Sequence, residues 1–164
     1  AGREVERTME AAPKPDNEPQ RLAALQGYEV LDTPPEPAFD RITALLALLL
    51  DMPVTLVSLV DADRQWFKSR VGMPIVETPR ALAFCGYTIL SDALFVVEDT
   101  HLDQRFHDHP MVTERPGLRF YAGAPLVTPE GLRIGSLCAI DNRPRQLTER
   151  EQQIISTLAG VVSD

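Results

Sequence analysis

Two cysteines are the residues of this 164-residue chain best suited to covalent chemistry, Cys85 in AFCGYT and Cys138 in GSLCAID. They lie far apart with no Cys-x-x-Cys spacing, which suits neither a disulfide framework nor a structural zinc site. Each thiol has two readings: a small buried hydrophobe, or a reactive group in a pocket. If the two meet in space they can serve as attacking and resolving thiols. His101, Asp103, His107, Asp108 and His109 concentrate ligand-type side chains in one polar stretch. Such a set holds a transition metal if the loop folds back and otherwise stays solvated, so no metal ligand is assigned. Arg119 and Tyr121 share a strand face, where a guanidinium beside a phenol can orient an anionic or planar ligand; alternatively Arg119 pairs with an acid such as Asp99. Thr88, one helical turn after Phe84 and Cys85, offers a hydroxyl to the same space. Asp61 and Asp63 are explained by a turn. No nucleophile, base and acid stand together, so no catalytic residue is assigned.

Composition narrows the classes further. A net charge of −8 spread along the chain, with no basic stripe, argues against phosphate backbones and anionic lipid as direct partners. With 44% apolar residues the length suffices for one domain with a real core. The N-terminus has acids where a secretory signal has an apolar core, and the run ALLALLL at 44–50 is too short to span a bilayer. A reducing cytoplasm is the expected setting.

Residues 1–20 mix charge, proline and small side chains and are expected to be a tail or linker, with residues 21–164 forming a single domain. A short helix runs from 21 to near Gly27. TPPE at 33–36 has the pattern of a capping box, and Phe39, Ile42, Leu45, Leu46 and Leu49 recur at helical spacing up to Pro53. VTLVSLVD and QWFKSRVG read as a hairpin, with Trp66 and Phe67 on opposite faces. A short helix in 80–92, a brief strand FVVED and a loop with a helical turn at 100–117 form an irregular insertion. Residues 119–141 make a second hairpin, and LTERE brings another capping box, Thr148 with Glu151. Ile155, Leu158 and Val162 then alternate at 3 and 4 spacing, read as the seam of a dimerising, signalling helix. Helix, antiparallel strands and helix make an α+β sandwich.

The second hairpin is rich in small residues where a sheet would favour bulk: Gly123, Ala124, Gly135, Ser136 and Cys138. Alternation puts Ile134, Ser136, Cys138 and Ile140 on one face and Gly135, Leu137 and Ala139 on the other. Such a surface admits either a closely packed helix or a ligand.

The strings DTPPEPAFDRIT, VSLVDADRQWFKSRVG, ETPRALAFCGYTIL, FVVEDTHLDQRF and FYAGAPLVTPEGLRIGSLCAIDNRPRQLTERE together resemble the GAF domains at the input end of bacterial sensor histidine kinases and diguanylate cyclases. The resemblance implies a PAS-related central antiparallel sheet, with N- and C-terminal helices on one face and an irregular, pocket-forming insertion on the other. It also implies small-molecule sensing in signal transduction, homodimerisation through the terminal helices, and output to a kinase or cyclase domain beyond the last helix. No cofactor is required by it, and the ligand is unknown. The pocket candidates are Phe84, Cys85, Thr88, Arg119, Tyr121 and Cys138. The strings that mark cyclic-nucleotide-binding and bilin-binding members are absent. Two alternatives stay open: a thiol-based small-molecule reductase using Cys85 and Cys138, and a purely structural dimerisation module.

Overall fold

The computed structural model describes residues 11–113 and 117–163; residues 1–10 of the expected tail lie outside that range. Helix α1 (Glu18–Gly27) starts three residues inside the expected tail. Its anchor is Arg21, fully buried, whose guanidinium donates to the Val60 carbonyl at 2.6 Å and to Glu18 at 2.8 Å. Glu18 also receives the Arg80 guanidinium, so one carboxylate ties α1 to the start of the insertion.

Helix α2 (Pro37–Leu50) corrects the capping box expected at 33–36: the N-cap is Glu36, extended at φ −126° and ψ 135°. Proline disfavours helical backbone in the residue before it, and Pro35 and Pro37 follow Pro34 and Glu36, so TPPE cannot wind. Thr33 instead donates to the Val30 carbonyl and accepts from Lys68 Nζ at 2.7 Å. Past Asp51, which takes a left-handed conformation, the chain enters the sheet.

Six antiparallel strands follow: β1 (Val54–Val60), β2 (Arg64–Val71), β3 (Glu77–Pro79), β4 (Phe95–Val97), β5 (Phe120–Val127) and β6 (Arg133–Asp141), in the order β3-β2-β1-β6-β5-β4. The β1–β2 pairing shifts register so that Lys68 opposes no residue of β1. A shift between β5 and β6 does the same to Ile134 and corrects its expected face: Ile134 packs with Leu137 on the helix side, not with Ser136 and Cys138. An extra residue in one strand reverses the alternation beyond it. At Gly135 the neighbouring strand comes so close that a Cβ would lie 2.1 Å from the Ser58 carbonyl oxygen.

Helices α1, α2 and the last helix, α5 (Glu149–Ser163), cover one face through Leu25, Leu46, Leu50, Val57, Trp66, Leu137 and Ile155. Ala122, Ala124 and Ala139 lie in this layer, so the alanines of the second hairpin let α5 approach the sheet. The insertion covers the opposite face, where Phe67 points. It contains two single-turn helices, α3 (Cys85–Thr88) and α4 (Pro110–Thr113). The second capping box forms as expected: the Glu151 N–H donates to Thr148 Oγ1 at 3.1 Å, and the Thr148 N–H to Glu151 Oε1 at 3.0 Å.

The seam expected between two chains belongs to this chain's own core. Ile155 is fully buried, and Leu158 and Val162 pack on the same cluster. The apolar residues that α2 and α5 turn outward are Leu45, Leu48, Leu49 and Val161. A 3-4 spacing describes any inward helix face, and here the sheet covers Ile155.

Candidate functional site

Tyr121 is the hub of the insertion face. Its phenol oxygen lies 2.8 Å from Thr88 Oγ1, 3.1 Å from Cys85 Sγ and 3.3 Å from Ser136 Oγ. Cys85 and Thr88 sit at the two ends of the single turn α3, which aims both at the sheet. Cys138, on β6 beside Gly123 of β5, lines the same small cavity as the Cys85 thiol. Ser58 continues the polar line by donating to Gln65 Oε1 at 2.9 Å, and Gln65 Nε2 donates to Thr78 Oγ1 at 2.7 Å. Among the described residues every buried side-chain polar atom has a partner.

The glycine beneath the phenol has a specific task. A Cβ on Gly123 would lie 2.4 Å from the Tyr121 oxygen, 2.8 Å from Ser136 Oγ and 2.9 Å from Thr88 Oγ1. The space freed by Gly123 is thus taken by the protein's own network. Around it Phe84 stacks on Phe106 with centroids 4.0 Å apart and leans on Tyr121 at 5.2 Å, while Phe95 reaches Tyr121 at 6.0 Å. What stays open is a cavity of about 20 Å³, lined by Cys85, Cys138, Tyr121, Gln65, Met73 and Met111 among others. That is room for one small molecule of water size, far below the ~300–1,000 Å³ of an ordinary ligand pocket. A roomier hollow of about 290 Å³ lies on the helix side, between Phe39, Leu59, Leu126, Val162 and Lys68, whose ammonium is held by Glu36 at 2.5 Å.

The two thiols differ electrostatically. The hydrogen bond from Cys138 lowers the Cys85 pKa to about 7 against the effect of burial, with Tyr121, Ser58 and Ser136 adding to the lowering. Cys138 moves up, because it shares its proton with Cys85 and because it is buried. Burial, and then the nearby thiols, raise Tyr121, so the phenol stays a donor. The arrangement can hold one thiolate and one thiol side by side.

Of the pocket candidates, Phe84, Cys85, Thr88, Tyr121 and Cys138 converge here. Arg119 does not: it forms an ion pair with Asp99 at 3.0 Å, outside the aromatic cluster, so the simple pairing is the one observed. It lies before β5 begins, where strand alternation does not govern its direction. The histidines also part company. His109 is buried, its Nε2 2.7 Å from the Leu82 carbonyl and its Nδ1 accepting from the Met111 N–H at 3.0 Å, and burial lowers its pKa. His101 and His107 are exposed, and Asp103 holds Arg105 at 2.8 Å. Among the described residues no three His, Cys, Asp or Glu side chains are grouped to hold a metal ion. Sequence reasoning missed Ser58, Gln65 and Thr78. Their signal was readable for Ser58, a hydroxyl inside the otherwise apolar run VTLVSLV.

The chain belongs to the GAF domain family, which matches residues 34–163. It is 41% identical over 155 residues to a cyclic di-GMP phosphodiesterase of Pseudomonas aeruginosa, covering 94% of this chain and 26% of that protein. The chain therefore spans about a quarter of the length of that curated relative. Among solved structures, the GAF domain of an Acinetobacter phosphoenolpyruvate-protein phosphotransferase superposes with a TM-score of 0.65 at 17% identity, covering 90% of this chain and 91% of that one. The free methionine-R-sulfoxide reductase of Neisseria meningitidis does so with a TM-score of 0.62 at 18% identity, covering 95% and 93%. At such identities the likeness is one of fold. Among the described residues no helix is long and apolar enough to cross a membrane.

Proposed function

We propose that this GAF domain is the regulatory input module of a protein that turns over cyclic di-GMP, and that it performs no turnover itself. The observation that carries this reading is the 41% identity across nearly the whole chain to one segment of a cyclic di-GMP phosphodiesterase. The kinase or cyclase output expected from the resemblance gives way to a phosphodiesterase as the favoured downstream partner. The Tyr121 phenol is hydrogen-bonded to the Thr88 and Ser136 hydroxyls.

Regulation requires two states that a stimulus weights differently. The output helix α5 is the element to move, and its N-terminus is joined to the sheet by one residue. Arg145 donates to the Leu50 and Asp51 carbonyls at 2.7 and 2.9 Å and to Asp141 at 3.2 Å, linking the end of α2 and the end of β6 just before α5 starts. A homodimer would use the outward face of α2 and α5, with Leu45, Leu48, Leu49 and Val161, in place of the buried Ile155 seam.

The test is a chimera in which this chain replaces the matching segment of the Pseudomonas phosphodiesterase. Cyclic di-GMP hydrolysis should persist, and Arg145→Ala should shift its rate while leaving the catalytic domain intact. A rate identical with and without the domain, and indifferent to Arg145→Ala, would sink the proposal.

A further inference from the structure

We propose that Cys85 and Cys138 form a peroxide-responsive dithiol switch, oxidised by hydrogen peroxide to an intramolecular disulfide that ties the insertion to strand β6. The inference rests on the regulatory reading above and names its stimulus.

The geometry selects both the thiols and the oxidant. The two cysteines of the chain come from distant segments, α3 and β6, and line one cavity of about 20 Å³. A space of that size admits a molecule near the dimensions of water or hydrogen peroxide and shuts out a metabolite. The Tyr121 phenol stands 3.1 Å from the Cys85 sulfur as a donor, and the Cys138 thiol lines the same cavity. Donors around sulfur stabilise a thiolate, and the same donors can stabilise the oxyanion that leaves a breaking O–O bond. Cys138 keeps its proton and stands ready as the resolving group.

The steps balance without further reagents. The Cys85 sulfur attacks one peroxide oxygen and the O–O bond breaks. Sulfur retains that oxygen as a sulfenic acid, and water departs with the proton Cys85 gave up. The Cys138 sulfur then attacks the Cys85 sulfur, an S–S bond forms, the S–O bond breaks, and water leaves with the Cys138 proton. Two electrons pass from the sulfurs to the peroxide. The phenol of Tyr121 thereby loses a charged partner and keeps Thr88 and Ser136. Strand β6 runs from Cys138 to Asp141, whose carboxylate holds Arg145 at the start of the output helix, so a pull on the strand reaches α5.

The experiment treats the reduced domain with graded hydrogen peroxide, quenches, denatures, and blocks remaining thiols with N-ethylmaleimide before intact-mass and peptide analysis. The expected result is conversion of the doubly blocked protein to a species that carries no maleimide and is two hydrogens lighter than the reduced, unblocked chain, with a cross-linked Cys85–Cys138 peptide. The rate should fall severalfold as pH is lowered from about 8 to about 6 through the Cys85 pKa of about 7. In Cys138→Ser, dimedone should trap a sulfenic acid on Cys85. The proposal is overturned if both thiols remain blockable while Met73 and Met111 oxidise, or if the only disulfides join separate chains. Wild-type peptide mapping decides the matter even if the variant folds poorly. Because the chemistry is read on the domain without any output, its failure leaves the regulatory reading to the chimera, and an unresponsive chimera leaves the chemistry standing.

Discussion

The two faces of the sheet use the same strands for different ends. On the helix face the small residues Ala122, Ala124 and Ala139 give α5 a close seat, and the contacts are apolar, Trp66 and Phe120 among the aliphatic side chains, with a hollow of about 290 Å³ left at one end. On the insertion face Gly123, Ser136 and Cys138 make room for hydroxyls, thiols and a phenol, which close the space to about 20 Å³. Hydrophobic packing without direction tolerates repacking, whereas a chain of buried hydrogen bonds fails when one member is lost. The face that looked like an empty pocket from its small residues is the more tightly specified of the two.

The largest test is truncation on each face. Phe106→Ala removes a fully buried ring stacked on Phe84 and should cost about 3–5 kcal/mol, and Leu46→Ala on the helix face about 2–5 kcal/mol, both read by urea unfolding. Addition of a small aromatic compound should recover stability only for Phe106→Ala; equal recovery in both would erase the distinction. Next comes Tyr121→Phe, a deletion of one oxygen that leaves Thr88 and Cys85 short of a partner, expected to cost about 1–3 kcal/mol. A change within experimental error would mean that the network adds nothing to the insertion face.

Smaller effects probe the edges. Thr148→Ala removes the α5 cap on the helix face and should cost about 1 kcal/mol. Acid should also act through the latch between α1 and the insertion. Burial would raise the Glu18 pKa, but hydrogen bonds from Arg80 and Arg21 lower it to about 2. A lowered carboxylate stabilises the fold above its unfolded value of 4.5, and that contribution fades as pH falls toward 2. Glu18→Gln should flatten the fall in melting temperature over that window; an unaltered curve would remove the latch from the account. Smallest in stability is Leu48→Ser, on a leucine 80% exposed, which should leave unfolding within about 0.5 kcal/mol while weakening any self-association seen by sedimentation.

Most of the architecture was legible. Hairpins, both main helices, the Thr148–Glu151 cap and the irregular insertion follow from periodicity and turn chemistry, which are local and need no knowledge of neighbours. Even the failure at Thr33 was local, since two prolines after the pattern forbid the helix that the pattern suggests. Of the two readings open for Arg119, the ion pair with Asp99 is the one formed, and it depends on another segment, since strand parity does not extend past the strand.

What the amino-acid sequence by itself determined, then, is an α+β domain of the GAF family with a crowded hairpin of small residues and two thiols. Only the tertiary structure decided what those small residues face. Whether Gly123 shelters a guest or the Tyr121 phenol, whether Ile155 meets a partner or its own sheet, and whether Cys85 meets Cys138 depend on contacts between distant segments. Side-chain alternation names a face but not its occupant. Two one-residue bulges, at Lys68 and Ile134, redirect even that face, and they arise from strand pairing and not from any local pattern.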